Sequence, residues 1–236
     1  MPLEQQEMTM TPVEACQEQS DIVDYQLHEM VLHPQIYGHL PERWQTVFNA
    51  IEPYIKPNSK ILDVGCRTGE FLEQVFRICD SGLISCKIPL DQLYGIDVSK
   101  PAIEIAVKDR KLNRCVSGDL HKTEYKDDYF DIITASHVLE HSYDMRLFRD
   151  EMFRILKPNG VLAVLIPIEG KPWPGHEKPV AVGHYNFFPD PGDIVGPMGG
   201  RFNVQMHRMN LGPPQKDGMV WAREVIFLLK PKVDGS

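Results

Sequence analysis

The stretch ILDVGCRTGEFLE, residues 61–73, contains the transition that decides the fold. It begins with an apolar run, turns at Gly65 and Gly69, and continues with apolar residues at helical spacing. A glycine turn between a strand and a helix lets a ligand approach the backbone and the amino end of the helix. The stretch therefore predicts a ligand site directly after a buried strand.

Outward from this stretch, β-rich apolar runs alternate with helical patterns. The predicted strands fall at 60–64, 93–97, 114–118, 130–136 and 161–167, followed by the pair 202–209 and 219–229. Nearly continuous apolar strands that alternate with helices indicate a parallel sheet covered on both faces. A short Gly/Pro turn separates the last two runs and predicts an antiparallel pair at the sheet edge. The expected fold is α/β: a doubly wound, Rossmann-like sheet of seven strands, mostly parallel.

The chain divides by composition into an acidic leader, residues 1–40, and one domain, residues 41–236. We expect the leader to be partly disordered, frayed or weakly helical, or to act as a lid. Residues 1–42 contain eight acidic residues and no Lys or Arg, which accounts for the whole net charge of −8. The remaining 25 acidic and 25 basic residues balance. Without an excess of positive charge, nucleic acid is an unlikely partner.

Cysteine usage and hydropathy suggest the compartment. The five cysteines are odd in number and show no CxxC pairing, which indicates reduced thiols rather than disulfides or a zinc site. The longest apolar stretch, residues 160–167, is far shorter than the ~20 residues that cross a bilayer. We expect a cytoplasmic protein with no membrane partner, and the sequence gives no indication of oligomeric state.

The glycine turn does not match the common nucleotide-binding patterns. Both GxxxxGK[ST] and GxGxxG are absent, because Gly65 and Gly69 are four residues apart with Arg67 between them. The order D-x-G-x-x-x-G instead resembles the first motif of class I S-adenosylmethionine-dependent methyltransferases. Four later segments are similar to that family in the same order: YGIDVS (94–99), SGDL (117–120), DDYFDIITASHVLEH (127–141) and LKPNGVLAVLIP (156–167).

This resemblance implies S-adenosylmethionine as the cofactor and assigns residues to it. Asp97 would accept hydrogen bonds from the two ribose hydroxyls, since a carboxylate has two acceptor oxygens. Val98 would lie beside the adenine, Asp119 would bind the adenine amino group, and Leu120 would form an apolar wall. Asp63 would lie near the amino group of the cofactor. The remaining predicted contacts are Gly65, Cys66, Gly69, Ser136 and His137, with Cys66 as a small turn residue rather than a nucleophile.

Two features depart from the family pattern. Arg67 stands where the family most often has a glycine, and a positive φ at that position would strain an arginine. The interval between Asp63 and Asp97 is also long, and we assign residues 80–92 to a surface loop before the second strand.

Methyl transfer needs few catalytic residues, because it is an in-line displacement that depends largely on alignment and exclusion of water. Where the acceptor must lose a proton, a base helps, and the candidates are His137, Glu140, His141 and His184. They follow the fourth and fifth strands, whose carboxyl ends form the ligand edge of such sheets. Equally, Glu140 and His141 could brace the following helix, and His184 could pack a loop.

The same four residues are also candidate metal ligands. His137, Glu140 and His141 offer ligands at i, i+3 and i+4, with His184 as a fourth. The set resembles, in part, the ExxEH plus distal His of magnesium- or manganese-dependent enzymes that methylate the 2′-hydroxyl at small RNA 3′ ends. Because His137 replaces the first Glu and no basic surface accompanies the set, we predict no metal.

The sequence thus predicts a methyltransferase that acts on an oxygen, nitrogen or carbon atom of a small-molecule acceptor. The leader and residues 169–200 are expected to form the acceptor pocket. Their aromatic residues would suit an apolar or ring-bearing acceptor (Trp173, Tyr185, Phe187, Phe188). Two alternatives remain: a metal-dependent RNA 3′-end 2′-O-methyltransferase, and a non-catalytic partner protein that binds S-adenosylmethionine.

Overall fold

A computed structural model describes residues 11–32, 40–168, 184–186, 188–211 and 222–232. Within them, seven strands form one sheet in the order β3-β2-β1-β4-β5-β7-β6. The strands are β1 (Ile61–Val64), β2 (Leu93–Asp97), β3 (Cys115–Ser117), β4 (Phe130–Ser136), β5 (Leu156–Pro167), β6 (Phe202–Leu211) and β7 (Ala222–Pro231). The first five are parallel, and β7 is antiparallel to both β5 and β6. The predicted doubly wound α/β sheet with an antiparallel last pair is confirmed.

Six α-helices accompany the sheet in the described part of the chain: α1 (Pro12–Leu32), α2 (Leu40–Ile51), α3 (Glu70–Ser81), α4 (Lys100–Lys108), α5 (Met145–Ile155) and α6 (Val195–Met198). Their ends carry the expected local signals. Ser99 and Asp144 cap the amino ends of α4 and α5 through side-chain oxygens, and α3 ends at the left-handed Gly82. Turn chemistry and the apolar pattern therefore agree on these boundaries.

The core lies on both faces of the sheet, because successive strand residues point to opposite sides. Ile61 packs in one buried cluster and Leu62 in the other, and Ile132 and Ile133 of β4 divide in the same way. All four residues of β1 are buried, as expected for a central parallel strand.

The chain order reverses on the two sides of β1, which lies between β2 and β4. In register, Val64 is paired with Ile96 on one side and with Ala135 on the other. The residues that follow these three therefore emerge side by side at the carboxyl edge. Open α/β sheets bind ligands at such a switch point.

The acidic leader contains more structure than the frayed or weakly helical segment expected. Residues 12–32 form α1, and at its start the Thr11 amide donates to the Glu14 carboxylate while the Glu14 amide donates to the Thr11 hydroxyl. This reciprocal cap satisfies amide groups at the helix start. Ala15 is fully buried, and the Ser99 hydroxyl donates to Asp24 at 2.5 Å, which attaches α1 to the carboxyl edge of the sheet.

Residues 80–92, expected to be a surface loop, begin inside α3, which extends to Ser81, and are exposed only in part. Leu83 is exposed, but Cys86 and Ile88 are buried in the core, and a short 3-10 turn at Leu90–Gln92 leads into β2. Across the described ranges, no helix combines the length and apolar character needed to span a membrane.

Candidate active site

A cavity of about 270 Å³ opens at the carboxyl edge of β1, β2 and β4. Its walls come from the residues that end these strands and from α1. It brings together all four candidate catalytic residues (His137, Glu140, His141, His184) and nine of the ten predicted cofactor residues (Asp63, Gly65, Cys66, Asp97, Val98, Asp119, Leu120, Ser136, His137). Gly69 does not line the cavity. It precedes α3 with φ 81°, and an added Cβ would lie 2.5 Å from Leu112.

The glycine turn brings backbone to the cavity wall. Gly65 has φ 70°, and a Cβ there would lie 2.5 Å from a methyl group of Val138. Arg67 has φ 49°, so the position does require the left-handed region. For a residue other than glycine this region costs about 1–2 kcal/mol. The Arg67 amide donates to Asp97 Oδ2 at 2.8 Å, and this bond helps to hold the strained turn.

Asp97 ends β2 and is almost fully buried. Its Oδ1 accepts from the Ser99 amide at 2.9 Å and its Oδ2 from the Arg67 amide at 2.8 Å. Burial raises the pKa of this carboxyl above its usual value, although the Ser99 and Arg67 amides oppose the shift. Each carboxylate oxygen has two acceptor sites. Asp97 is thus fixed in place and keeps acceptor capacity for two further donors.

Asp63 is a buried carboxyl on β1. Its Oδ1 accepts from the Thr134 hydroxyl at 2.7 Å. Burial raises the pKa of Asp63 to about 7; the Thr134 bond lowers it, and the nearby charges of Asp97 and Glu70 raise it further. A cationic group placed beside Asp63 would favour the ionised form, since opposite charges stabilise each other at short range.

Asp119 is held by two side chains for which the sequence predicted no such role. His121 donates through its backbone amide (2.9 Å) and contacts Oδ1 through Nδ1 (2.8 Å), while the Tyr143 hydroxyl donates to Oδ2 at 2.7 Å. His121 Nε2 lies 2.8 Å from the Ser142 hydroxyl. Burial raises the pKa of Asp119, but the bonds from His121 and Tyr143 outweigh it and lower the pKa to about 2. Asp119 is therefore an ionised acceptor.

His137 follows β4 in the left-handed region, with φ 56°. Its Nδ1 lies 3.1 Å from Glu140 and its Nε2 lies 2.9 Å from Glu224, which also pairs with Arg43 at 2.7 Å. Burial lowers the pKa of His137, but the bonds to Glu140 and Glu224 outweigh it, so the pKa is raised. Both ring nitrogens thus face carboxylates at close range, which favours the protonated ring.

The segment around His184 is bonded to the turn that follows β4. The amides of Tyr185 and Asn186 donate to the Glu140 carbonyl at 2.7 and 3.0 Å, and the Asn186 side chain donates to the Leu139 and Ser142 carbonyls. The His184 ring meets the His141 ring edge-on, with centroids 4.6 Å apart. The sequence allowed either loop packing or catalysis for His184 and for the turn with Glu140 and His141, and these residues do contact one another.

The α1 helix covers the open side of the cavity with Cys16, Gln19, Ile22, Val23 and Gln26. The leader was expected to act as a lid or to line the acceptor pocket, but its polar sequence did not predict a long helix. The Tyr185 hydroxyl donates to Glu18, which connects α1 to the segment after β5. Of the other predicted pocket aromatics, Phe188 is buried in the core, and Trp173 and Phe187 lie outside the described residues.

Residues 62–164 match the family model described as a methyltransferase domain. These residues form a methyltransferase domain. The match begins in β1 and ends in β5, so it covers the glycine turn and Asp63, Asp97 and Asp119. The resemblance seen in the sequence is confirmed, and the superfamily's cofactor, S-adenosylmethionine, with it.

Curated relatives match over about half of the chain. The sterol 24-C-methyltransferase of Aspergillus fumigatus is 30% identical over 110 residues, 47% of this chain and 28% of that protein. The ubiquinone/menaquinone biosynthesis C-methyltransferase of Vibrio parahaemolyticus is 30% identical over 118 residues, 47% of this chain and 42% of that protein. The chain thus spans less than half the length of either relative.

Solved structures share the fold over a larger part of the chain. The complex of the Haloferax volcanii Trm112 methyltransferase activator with a methyltransferase aligns at a TM-score of 0.64 and 13% identity, covering 88% of this chain and 97% of that one. An S-adenosylmethionine-dependent methyltransferase of Thermotoga maritima aligns at 0.56 and 20% identity, covering 88% and 100%. At these identities the likeness establishes the fold.

Proposed function

We propose that this protein transfers the methyl group of S-adenosylmethionine to a small-molecule acceptor in the cavity at the carboxyl edge of the sheet. The observation that carries this proposal is the convergence of Asp63, Asp97 and Asp119 on one cavity beside the Gly65 turn. Asp63 lies in β1, Asp97 ends β2 and Asp119 follows β3, and all three fall inside the segment that matches the family model.

The residues fit the proposed cofactor. Asp97 keeps acceptor capacity on both oxygens, which suits two neighbouring ribose hydroxyls. Asp119, held ionised by His121 and Tyr143, suits the adenine amino group, with Val98 and Leu120 as apolar walls. Asp63 suits the cationic amino group, because ionising this buried carboxyl requires a positive partner.

When bound, the cofactor supplies a methyl group on a positively charged sulfur. The contribution of this chain is to hold donor and acceptor in line and to keep water out. The Gly65 turn fixes one wall, and α1 covers the opening through Asp24 and Glu18. His137, whose two ring nitrogens each face a carboxylate, supports the turn that contains Glu140 and His141 rather than removing a proton.

Two observations support a small-molecule acceptor. The relatives described above are named for sterol and quinone methylation, and the cavity of about 270 Å³ is bounded by α1 and by the segment 184–186. Outside the leader, acidic and basic residues balance, so no excess positive charge favours nucleic acid.

All five cysteines are free thiols, four of them buried, and we propose a cytoplasmic location on that basis.

Calorimetric titration with S-adenosylhomocysteine tests the cofactor site. Asp97→Ala removes a buried acceptor that serves two hydroxyls, so we expect a loss of about 2–4 kcal/mol, roughly 30- to 1000-fold in affinity. Asp91→Ala is the matched control, because Asp91 is exposed on the turn before β2. Equal affinity in both variants, or no binding by the native chain, would contradict the proposal.

A further inference from the structure

Three side chains with metal-binding atoms meet at one end of the cavity. Glu140 and His141 lie on the short turn Leu139–His141 after β4, and His184 reaches them from the segment that follows β5. One ligand atom from each lies within 4.8 Å of the other two. All three residues line the cavity, so an ion held here would be open to whatever the cavity binds.

The burial of Glu140 is an independent indication of a missing partner. Its side chain is fully buried, yet its Oε2 accepts no hydrogen bond from any residue that the structure describes. A buried carboxylate without a full set of partners is costly, because burial removes its hydration.

The surroundings of Glu140 match the outer support that metal ligands usually have. His137 Nδ1 lies 3.1 Å from Glu140 Oε1 and orients the carboxylate, while its Nε2 is bonded to Glu224. Metal-binding carboxylates are commonly fixed by such outer hydrogen bonds. His137 is thus excluded as a ligand, which differs from the four-ligand set weighed from the sequence.

We propose that Glu140, His141 and His184 bind one divalent first-row transition-metal ion at the wall of the cavity. Two imidazoles and one carboxylate favour ions such as Zn²⁺, Co²⁺ or Mn²⁺ over Mg²⁺ or Ca²⁺, which prefer oxygen ligands alone. Ligand atoms bound at about 2.1 Å in a tetrahedral site lie about 3.4 Å from one another. The present spread of up to 4.8 Å therefore requires the side chains to close by up to about 1.4 Å.

Three protein ligands leave coordination positions open, as in metal sites that bind a substrate. Here the open positions face the cavity, so the ion would take an oxygen atom of the acceptor, such as a hydroxyl or phenol. This last step rests on the proposed function, whereas binding of the ion itself does not. The inference replaces the expectation, made from the sequence, that no metal is bound.

Titration of the metal-stripped full-length protein with Co²⁺ tests the site without any turnover. We expect one equivalent to bind, with visible absorption bands of a nitrogen and oxygen environment. His184→Ala and His141→Ala each remove a direct ligand, so the affinity should fall by more than the roughly 10- to 100-fold typical of outer partners. His207→Ala is the control, because His207 is exposed on β6, and it should leave binding unchanged.

Cobalt binding that is absent, or equal in His184→Ala and His207→Ala, would overturn the inference. His184→Asn keeps a polar side chain and serves as a second variant if the alanine variant unfolds; it too should lose the ion. S-adenosylhomocysteine titration of the same samples separates the two proposals. If S-adenosylhomocysteine binds and Co²⁺ does not, only the metal site fails; if a folded native chain binds neither, the proposed function fails as well.

Discussion

At the scale of single residues, Asp63 is under opposing demands of folding and binding. Its carboxyl is buried beside Asp97 and Glu70, and burial raises its pKa to about 7. A carboxyl whose pKa is raised on folding binds its proton more tightly in the folded state, so stability falls as pH rises from about 4 to about 7. The charge that would hold a cationic ligand is therefore unfavourable for the protein alone.

We predict that Asp63→Asn raises the stability of the ligand-free protein, and more so at pH 8 than at pH 5. The amide has no charge to desolvate, and its oxygen can still accept from the Thr134 hydroxyl. Thermal unfolding of both proteins at the two pH values measures the difference. The same variant should bind S-adenosylhomocysteine more weakly. A stability gain that is the same at both pH values would show that ionisation of Asp63 is not the cause.

Gly65 is constrained in two ways: its backbone is in the left-handed region, and there is no room for a side chain beside Val138. We predict that Gly65→Ala destabilises the protein by about 2–4 kcal/mol, combining left-handed strain with a Cβ placed 2.5 Å from Val138. Gly82→Ala is the control: it has φ 80° but nothing within 4 Å of the added Cβ, so about 1–2 kcal/mol is expected. Urea unfolding measures the stability of both variants. Equal losses of stability would mean that the Val138 side chain moves aside at no cost.

At the scale of elements, α1 is the wall of the cavity that the fold itself does not require. It is attached to the sheet by the Ser99–Asp24 bond and to the segment after β5 by the Tyr185–Glu18 bond. Both bonds are at the partly exposed rim, where a hydrogen bond contributes about 1 kcal/mol. Such an element can open at lower free energy than the central strands.

We therefore predict that S-adenosylhomocysteine slows hydrogen exchange in α1. A ligand that fills the cavity adds contacts to Gln19, Ile22 and Val23, so opening of the helix becomes less favourable. Exchange followed by mass spectrometry should show protection over residues 12–27 and no change in β6, which lies at the far edge of the sheet. Unchanged exchange in α1 on saturation would mean that the helix is not a cover of the bound cofactor.

Features that depend on neighbouring residues could be predicted from the sequence, whereas contacts between distant segments could not. The strands and the cavity edge followed from apolar runs and from the stretch around Gly65, because these signals are local in the chain. Contacts between distant segments did not follow: Arg43 and Glu224 are 181 residues apart, and Glu224 and His137 are 87 apart. Nothing in the pattern around Glu224 indicates a partner, since one glutamate at the start of a strand is ordinary.

The position of β7 explains how Glu224 reaches the site. Because β7 runs antiparallel to β5, it starts at the edge where the parallel strands end, and Glu224 is paired in register with Pro167. A lid from the leader was expected, but the contacts that α1 makes were not, since its polar sequence lacks a clear apolar face. The cluster of Asp119, His121 and Tyr143 has no signal in the spacing of the sequence, because Tyr143 lies 24 residues from Asp119.

At the scale of the whole molecule, the place of β7 bears on how the chain matures during synthesis. Asp63, Asp97 and Asp119 have all been translated once residue 119 is added. Strand β7 lies between β5 and β6 in the sheet but is translated after every other described strand. Until it emerges from the ribosome, β5 exposes an unpaired edge, and Arg43 and His137 lack their shared carboxylate. A nascent chain therefore has its carboxyls before it has a closed sheet, and that interval is when chaperone protection matters most.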